Sequence, residues 1–211
     1  MIFDVGGVLV ESPFVAALRW RDELEIPNEV MGIMFAEYAA IPEPGAPTPL
    51  WHQVEKGELE LDDFVTTVRQ QFAAHLDPDH PAMHLRGSDF NVFREAGAHW
   101  AMIHRAWELR EEGVVTAILT NNVKEWGEWR DVVALDAFDV VIDSCEVGLR
   151  KPDPAIWHMT LKEMGVQAAE AVFLDDHQGN VDAARALDIR SVTVGTDIEA
   201  ALAELEEMLV S

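Results

Sequence analysis

Polar residues of the kinds that act on anions follow several apolar runs of this sequence. These residues are Asp4 after "MIF", Thr120, Asn121 and Asn122 after "VVTAIL", Lys151 in "RKPDP", and Asp175 and Asp176 at the end of "AVFLDD". Each group alone is typical of a helix cap, a turn or a solvated loop. If the runs are parallel strands, however, the groups follow strand ends that share one edge of a sheet, and they would meet in one crevice.

The carboxylates in this set predict phosphoryl transfer through an aspartate. Asp4 would be the nucleophile and one metal ligand. Asp176, together with Asp175 directly or through water, would hold Mg²⁺, which prefers oxygen ligands and keeps several waters. Carboxylates this close together are costly without a cation, so the predicted cofactor is Mg²⁺.

The remaining polar groups suit a bound phosphate. Thr120 offers a hydroxyl, and the backbone N–H groups of the loop formed by Asn121 and Asn122 offer donors for phosphate oxygens. Lys151 offers a point charge that offsets the charge gathering in the transition state. We therefore predict Thr120 and Lys151 as catalytic, and all four residues as substrate-binding.

The elements that must position these residues are short apolar strands separated by amphipathic segments. The predicted strands lie within residues 1–5, 114–120, 138–144, 170–176 and 190–195. Helical spacing over residues 99–113, 153–165 and 197–210 predicts the segments between and after them. Continuous apolar strands that alternate with helices predict an α/β fold with a Rossmann-like parallel sheet.

The stretch between the first two strands is too long for one crossover and must hold its own structure. Ser12 is a candidate N-cap with Pro13 at the first helical position, residues 61–76 predict a further helix, and residues 41–49 predict a rigid break between helices. We therefore predict a core of residues 1–12 and 96–211, with a small helical cap inserted at residues 13–95, over the sheet edge that binds ligands.

The composition restricts the partners of the chain. Of its 211 residues, 39 are acidic and 15 basic, so the formal net charge is −24. Nucleic acids and anionic membranes are excluded as partners on this ground, and a phosphate site needs local positive charge from a metal or a lysine. The single cysteine, Cys145, and the lack of a basic, apolar leader predict a soluble cytoplasmic protein. From the predicted phosphoryl chemistry we expect a small phosphorylated metabolite as the substrate, and we expect the protein to be a monomer or homodimer.

The motifs resemble those of the haloacid dehalogenase (HAD) superfamily of hydrolases. "FDVGGVL", "ILTNN", "GLRKPDP" and "VFLDDHQGNVDAARALD" stand where that superfamily has its four motifs. From about residue 114 the sequence is most similar to the N-terminal phosphatase domain of soluble epoxide hydrolases, whose epoxide-hydrolysing half we expect to be missing here. The resemblance implies a Mg²⁺-dependent hydrolase with an aspartyl-phosphate intermediate. It also implies that the backbone carbonyl of Gly6 is a metal ligand.

Gly6 departs from the usual pattern of such phosphatases, which carry at this position a second aspartate that protonates the leaving alcohol and then activates water. Positioned acid or base catalysis contributes about 10² to 10⁴ in rate. The substrate could have a good leaving group, as in a sugar 1-phosphate or an acyl phosphate. Alternatively, Glu11, His177 or a cap residue could supply the proton. The third possibility is a catalytically silent module that binds a ligand or partner.

A dehalogenase is the main alternative within the fold, because such enzymes also lack the second aspartate. Displacement of halide needs no metal, so the acidic pair Asp175 and Asp176 argues against it. The enzymes of that type also resemble this chain less, since they usually carry an aromatic residue where Gly6 stands.

We also predict the positions of several tryptophans and of two polar residues near the site. Trp51, Trp126 and Trp129 are candidates for the wall of an apolar pocket, whereas Trp100 and Trp107, seven residues apart, are expected in a helix core. Asn180 is expected to orient a metal ligand, and Arg150 to face either the phosphate or solvent.

Overall fold

A five-stranded parallel sheet forms the centre of the protein in a computed structural model that describes residues 1–40 and 45–210. The strands are β1 (Ile2–Phe3), β2 (Ala117–Thr120), β3 (Val140–Asp143), β4 (Val172–Asp175) and β5 (Arg190–Thr193), in the order β3-β2-β1-β4-β5. Every pair is parallel. Each predicted apolar run contains one of these strands, which confirms the α/β sheet.

Helices cover both faces of this sheet, and two separate apolar clusters lie beneath them. The helices are α1 (Pro13–Glu23), α2 (Asn28–Ala39), α3 (Leu50–Glu55), α4 (Leu61–Phe72), α5 (Trp100–Glu111), α6 (Trp129–Val132), α7 (Ser144–Val147), α8 (Pro154–Met164), α9 (Gln178–Arg185) and α10 (Ile198–Leu209). Short 3-10 helices occupy Pro81–His84, Gly87–Asp89, Leu135–Ala137 and Ala168–Glu170. The helices predicted within residues 99–113, 153–165 and 197–210 are confirmed as α5, α8 and α10.

Local sequence explains where α8 begins and ends. The Asp153 carboxylate accepts a hydrogen bond from the backbone N–H of Ala155 at 2.9 Å, and Pro154 occupies the first helical position, where its missing N–H costs nothing. Gly165 ends the helix in the left-handed conformation at φ 69°. These caps fix the segment that follows the loop of Lys151.

The region predicted as a cap, residues 13–95, contains α1 to α4 and two of the 3-10 helices. The helix predicted at 61–76 is present as α4, whose buried face holds Leu61, Phe64, Val65, Val68 and Phe72. The break predicted at residues 41–49 lies partly outside the described residues. The division of the chain into a core and a cap stays a prediction, and we call residues 13–95 the insertion.

The expectation that Trp100 and Trp107 lie in a helix core is wrong. Their exposed fractions are 58% and 49%, whereas the buried face of α5 holds Met102, Ile103 and Leu109. A spacing of seven places two residues on one helix face without specifying which face. Within residues 1–40 and 45–210, no helix is both long enough and apolar enough to cross a bilayer.

Candidate functional site

A cluster of carboxylates lies where β1 and β4 end. Asp4, Asp175 and Asp176 each have one carboxylate oxygen within 4.8 Å of the others. β1 and β4 pair in parallel, with Phe3 opposite Leu174, and the Asp4 N–H donates to the Leu174 carbonyl at 2.9 Å. This pairing brings the carboxylates together. The sheet therefore places together acidic residues that are about 170 positions apart in sequence.

Lys151 lies between two of these carboxylates. Its Nζ is 2.9 Å from Asp4 Oδ1 and 2.6 Å from Asp175 Oδ2, and its side chain is fully buried. The side-chain amide of Asn121 donates to the Lys151 carbonyl at 3.0 Å and accepts from the Lys151 N–H at 2.8 Å. Asn121 therefore holds the backbone that presents the ammonium to the cluster.

The two adjacent aspartates have different surroundings. Asp175 accepts hydrogen bonds from the His177 N–H at 2.7 Å and from the Asn180 amide at 3.1 Å, in addition to its bond with Lys151. Asp176 accepts from the Ser12 hydroxyl at 3.1 Å. Because Asp175 is surrounded by protein donors, Asp176 and Asp4 have more of their oxygens available for a cation, and Asn180 orients Asp175 as expected.

Ser12 and Gly7 belong to the site although sequence reasoning did not place them there. Ser12 occupies the N-cap position of α1, as predicted, but its side chain makes no capping hydrogen bond and turns to Asp176 instead. Gly7 has φ 73°, and a Cβ on it would collide with the carboxylate of Asp176. The pair of glycines after Asp4 was the one available signal for this close approach.

Burial and mutual repulsion dominate the electrostatics of the cluster. Burial, opposed by Lys151 and reinforced by Asp175 and Asp176, raises the pKa of Asp4 to about 8. Burial and then Asp175 raise the pKa of Asp176 to about 6. Burial disfavours the ammonium of Lys151, but the charges of Asp175 and Asp4 outweigh that effect and raise its pKa. Three carboxylates against one ammonium leave excess negative charge, and such oxygen donors suit a hard divalent cation.

Thr120 and Asn122, predicted to bind phosphate, both lie buried beside the cluster and line the adjoining cavity. The Asn122 N–H donates to the Ser144 hydroxyl at 2.9 Å, and its side-chain amide donates to Asp143 at 2.9 Å and to the Trp126 carbonyl at 3.2 Å. These donors are therefore engaged within the protein. Within the described residues the Thr120 hydroxyl makes no hydrogen bond, so it stays available for an anion.

An apolar cavity of about 110 Å³ lies between the cluster and the insertion. Eight Phe, Tyr and Trp side chains contribute to its wall: Phe14, Phe35, Tyr38, Trp51, Phe64, Phe90, Phe93 and Trp126. The predicted wall residues Trp51 and Trp126 line it, with ring centroids 5.6 Å apart, whereas Trp129 is buried away from it. A ligand that reaches Asp4 would therefore lie against hydrocarbon on its other side.

Gly6 lies in this wall, and its missing side chain leaves no empty space. A Cβ on Gly6 would lie 2.7 Å from Cδ and 2.8 Å from Cγ of Pro13. The proline that begins α1 therefore fills the volume where a second aspartate would project.

Two of the groups considered as substitutes for that aspartate are engaged in ion pairs. Glu11 pairs with Arg19 at 2.5 Å near the surface. Glu55, a buried residue of the insertion, pairs with Arg150 at 2.6 Å. Arg150 therefore faces neither a phosphate nor open solvent, and it connects the insertion to the loop of Lys151.

Comparison with known proteins agrees with this geometry. The family model "haloacid dehalogenase-like hydrolase" matches residues 1–188. The chain is 29% identical to the mouse protein "Bifunctional epoxide hydrolase 2", covering 98% of this chain and 38% of that protein, and 29% identical to "Sesquiterpene phosphatase astK" of Aspergillus oryzae, covering 99% and 95%. The chain spans only 19% to 38% of the length of several curated relatives.

Solved structures show the same fold. A HAD-family enzyme of Bacteroides thetaiotaomicron, in complex with magnesium and inorganic phosphate, superimposes with a TM-score of 0.66 at 19% identity, over 95% of this chain and 96% of that one. At this identity the likeness extends to the fold alone.

Proposed function

Because the chain belongs to the haloacid dehalogenase-like hydrolases, we propose that it is a Mg²⁺-dependent phosphomonoesterase that forms an aspartyl-phosphate intermediate on Asp4. The observation that carries the proposal is the position of Lys151, whose ammonium lies 2.9 Å from one oxygen of Asp4 within a buried acidic cluster. This arrangement leaves a carboxylate oxygen of Asp4 for attack on phosphorus. It also sets a fixed positive charge beside the attacking group.

The residues of the chain divide the work of the reaction. The Asp4 carboxylate attacks phosphorus as the bond to the leaving oxygen breaks, and water then hydrolyses the acyl phosphate. Lys151 offsets the negative charge on the phosphoryl oxygens, and the Thr120 hydroxyl donates to one of them. Asp175 holds Lys151 through its 2.6 Å contact, so that the ammonium stays directed at the reacting group.

The donor set fits Mg²⁺. Asp4 and Asp176 would hold the ion together with the backbone carbonyl of Gly6, and Asp175 would contribute through water because its own oxygens already accept several hydrogen bonds. When bound, the ion neutralises charge on the phosphate and the carboxylates. The magnesium and phosphate held by a HAD-family enzyme of the same fold support this assignment by family analogy.

The substrate in this proposal is a small phosphorylated metabolite with an apolar organic part. Aromatic side chains, including Trp51 and Trp126, form the wall opposite Asp4, and the charged residues among them are held in pairs or in the acidic cluster. A sugar phosphate would lose the hydrogen bonds of its hydroxyls against such a wall. The similarity to a sesquiterpene phosphatase over 99% of the chain supports an apolar substrate. A cytoplasmic location and a monomeric or homodimeric state stay predictions.

The decisive experiment measures release of inorganic phosphate from p-nitrophenyl phosphate, phenyl phosphate, an alkyl phosphate and a sugar phosphate, with Mg²⁺ or with EDTA. Asp4→Asn should abolish turnover, and Asp182→Asn, the same change at an exposed aspartate of α9, should leave it intact. Wild type should prefer the apolar esters and lose turnover in EDTA. If wild type is no faster than Asp4→Asn on every ester, the chain is a silent binding module, and halide release from a 2-haloacid in EDTA would indicate a dehalogenase.

A further inference from the structure

The position that usually carries the acid in phosphatases of this kind is closed in this chain. A Cβ on Gly6 would lie 2.7 Å from the ring of Pro13, a distance that real Cβ atoms essentially never show. An acid for the leaving group must therefore come from another part of the cavity wall. His177, named above as one alternative, lines the cavity at the end of β4, and the other candidates are the polar groups of the insertion, which supplies most of the wall.

Few groups of the insertion that face the cavity carry a proton to give. Glu55 accepts a hydrogen bond from the Arg150 guanidinium at 2.6 Å, and this ion pair engages its carboxylate. The Trp51 indole carries an N–H but does not act as an acid in water. Tyr38, at the end of α2, carries a phenol hydroxyl and lines the same cavity as Asp4 and Asp176.

Two other rings pack against the ring of Tyr38. Its centroid lies 5.0 Å from that of Phe14 and 6.2 Å from that of His177, both in edge-to-face geometry. The hydroxyl makes no hydrogen bond with any residue in the described part of the chain, where the backbone carbonyl of Tyr38 is the atom that contacts His52. Since no described residue bonds this hydroxyl, the phenol is available to a ligand.

The charges around Tyr38 keep it protonated. Burial, followed by the negative charges of Glu55, Asp176 and Asp4, raises the pKa of Tyr38 above its usual range. The phenol is therefore a neutral donor at any working pH. Because a raised pKa makes the phenol a weaker acid, we expect its proton to pass only to a strongly basic alkoxide leaving group and not to a nitrophenolate.

We infer that Tyr38 is the catalytic acid of this enzyme, donating its hydroxyl proton to the leaving oxygen of an alkyl phosphate from the insertion side of the cavity. This inference rests on the proposed phosphatase function. As Asp4 bonds to phosphorus, the bond between phosphorus and the ester oxygen breaks, and that oxygen takes the proton from Tyr38. The water that then hydrolyses the acyl phosphate gives one proton to the phenolate, and the products are an alcohol, inorganic phosphate and a restored Tyr38.

The test is the dependence of kcat/KM on the leaving group, in the full chain with Mg²⁺. Tyr38→Phe removes one oxygen atom and keeps the ring that packs against Phe14 and His177. The kcat/KM of the variant should fall about 10²-fold for octyl phosphate, whose leaving alkoxide needs a proton. For p-nitrophenyl phosphate, whose leaving group does not need one, it should fall less than about 3-fold. Phe93→Leu, which loosens the same wall at a ring that packs against Trp126 and not against Tyr38, should lower kcat/KM for both substrates by a similar factor.

Each contrary outcome is distinct. If Tyr38→Phe lowers kcat/KM for both substrates equally, as Phe93→Leu should, or lowers it for neither, Tyr38 is a wall residue and the inference fails while the phosphatase function stands. If wild type turns over only nitrophenyl and acyl phosphates, the enzyme has no leaving-group acid and the inference fails as well. If wild type matches Asp4→Asn on every ester, the proposed function fails first and the inference fails with it.

Discussion

Removing the charge of Asp4 should change how the stability of the metal-free protein depends on pH. The pKa of Asp4 is raised to about 8 in the folded protein, mainly by burial, from 3.8 in an exposed chain. Between these values the folded state holds a proton that the unfolded state has released, so stability falls as pH rises. The slope is about 1.4 kcal/mol per pH unit.

From pH 6 to pH 8, wild type should therefore lose about 2 kcal/mol more stability than Asp4→Asn, because Asp4 is about half ionised by pH 8 and asparagine has no proton to release. The asparagine oxygen can still accept from Lys151, so the pair at 2.9 Å keeps a hydrogen bond. For a chain of this length the loss corresponds to a melting temperature lower by about 4 to 8 °C.

The assay is a set of thermal melts of both proteins in EDTA at several pH values, with Asp182→Asn as the control for a surface aspartate. The control should follow wild type, because Asp182 is exposed and its carboxylate accepts a hydrogen bond from its helix neighbour Gln178. Parallel curves for wild type and Asp4→Asn between pH 6 and pH 8 would refute the claim that burial and crowding raise the pKa of Asp4.

Three further results are expected. Mg²⁺ should raise the melting temperature of wild type more at pH 8 than at pH 6. The folded-state pKa of Asp4 is about 8, so more of its carboxylate is ionised and free to bind at the higher pH. An equal rise at both pH values would argue against a metal at Asp4. Gly7→Ala should lower the free energy of unfolding by about 2 kcal/mol or more in urea titrations, since the residue has φ 73° and its Cβ would collide with Asp176. Gly6→Asp should destabilise the protein without raising phosphate release, and adding Pro13→Ala should restore part of the lost stability, whereas an unaided gain in rate would contradict the close contact.

The sheet and the residues at its edge could be predicted from the sequence because their signals are local. A continuous apolar run followed by an aspartate or threonine indicates a buried strand and its end, and the parallel order then requires that the ends meet. Asp4, Lys151, Asp175 and Asp176 do lie together on this basis. Their chemical roles stay predictions, since no part of the structure tests them.

The contacts between the insertion and the site could not be predicted in the same way. Ser12 precedes a proline and indicates a helix cap, yet its hydroxyl reaches Asp176 across 164 positions of sequence. Arg150 pairs with Glu55 across 95 positions. Such contacts depend on where the insertion lies relative to the sheet, and periodicity within one helix carries no information about that placement.

The glycine at position 6 and the path of the insertion are physically linked. Pro13 begins α1 at the point where the chain leaves the core, and its ring occupies the volume that a side chain at position 6 would need. A carboxylate at position 6 and this path of α1 are therefore mutually exclusive. If the leaving-group proton comes from Tyr38, the sheet edge supplies the nucleophile and charge, while the insertion supplies both the acid and the apolar wall. Changes in the insertion would then alter both the rate and the range of leaving groups, whereas changes at Lys151 would lower turnover of every ester alike.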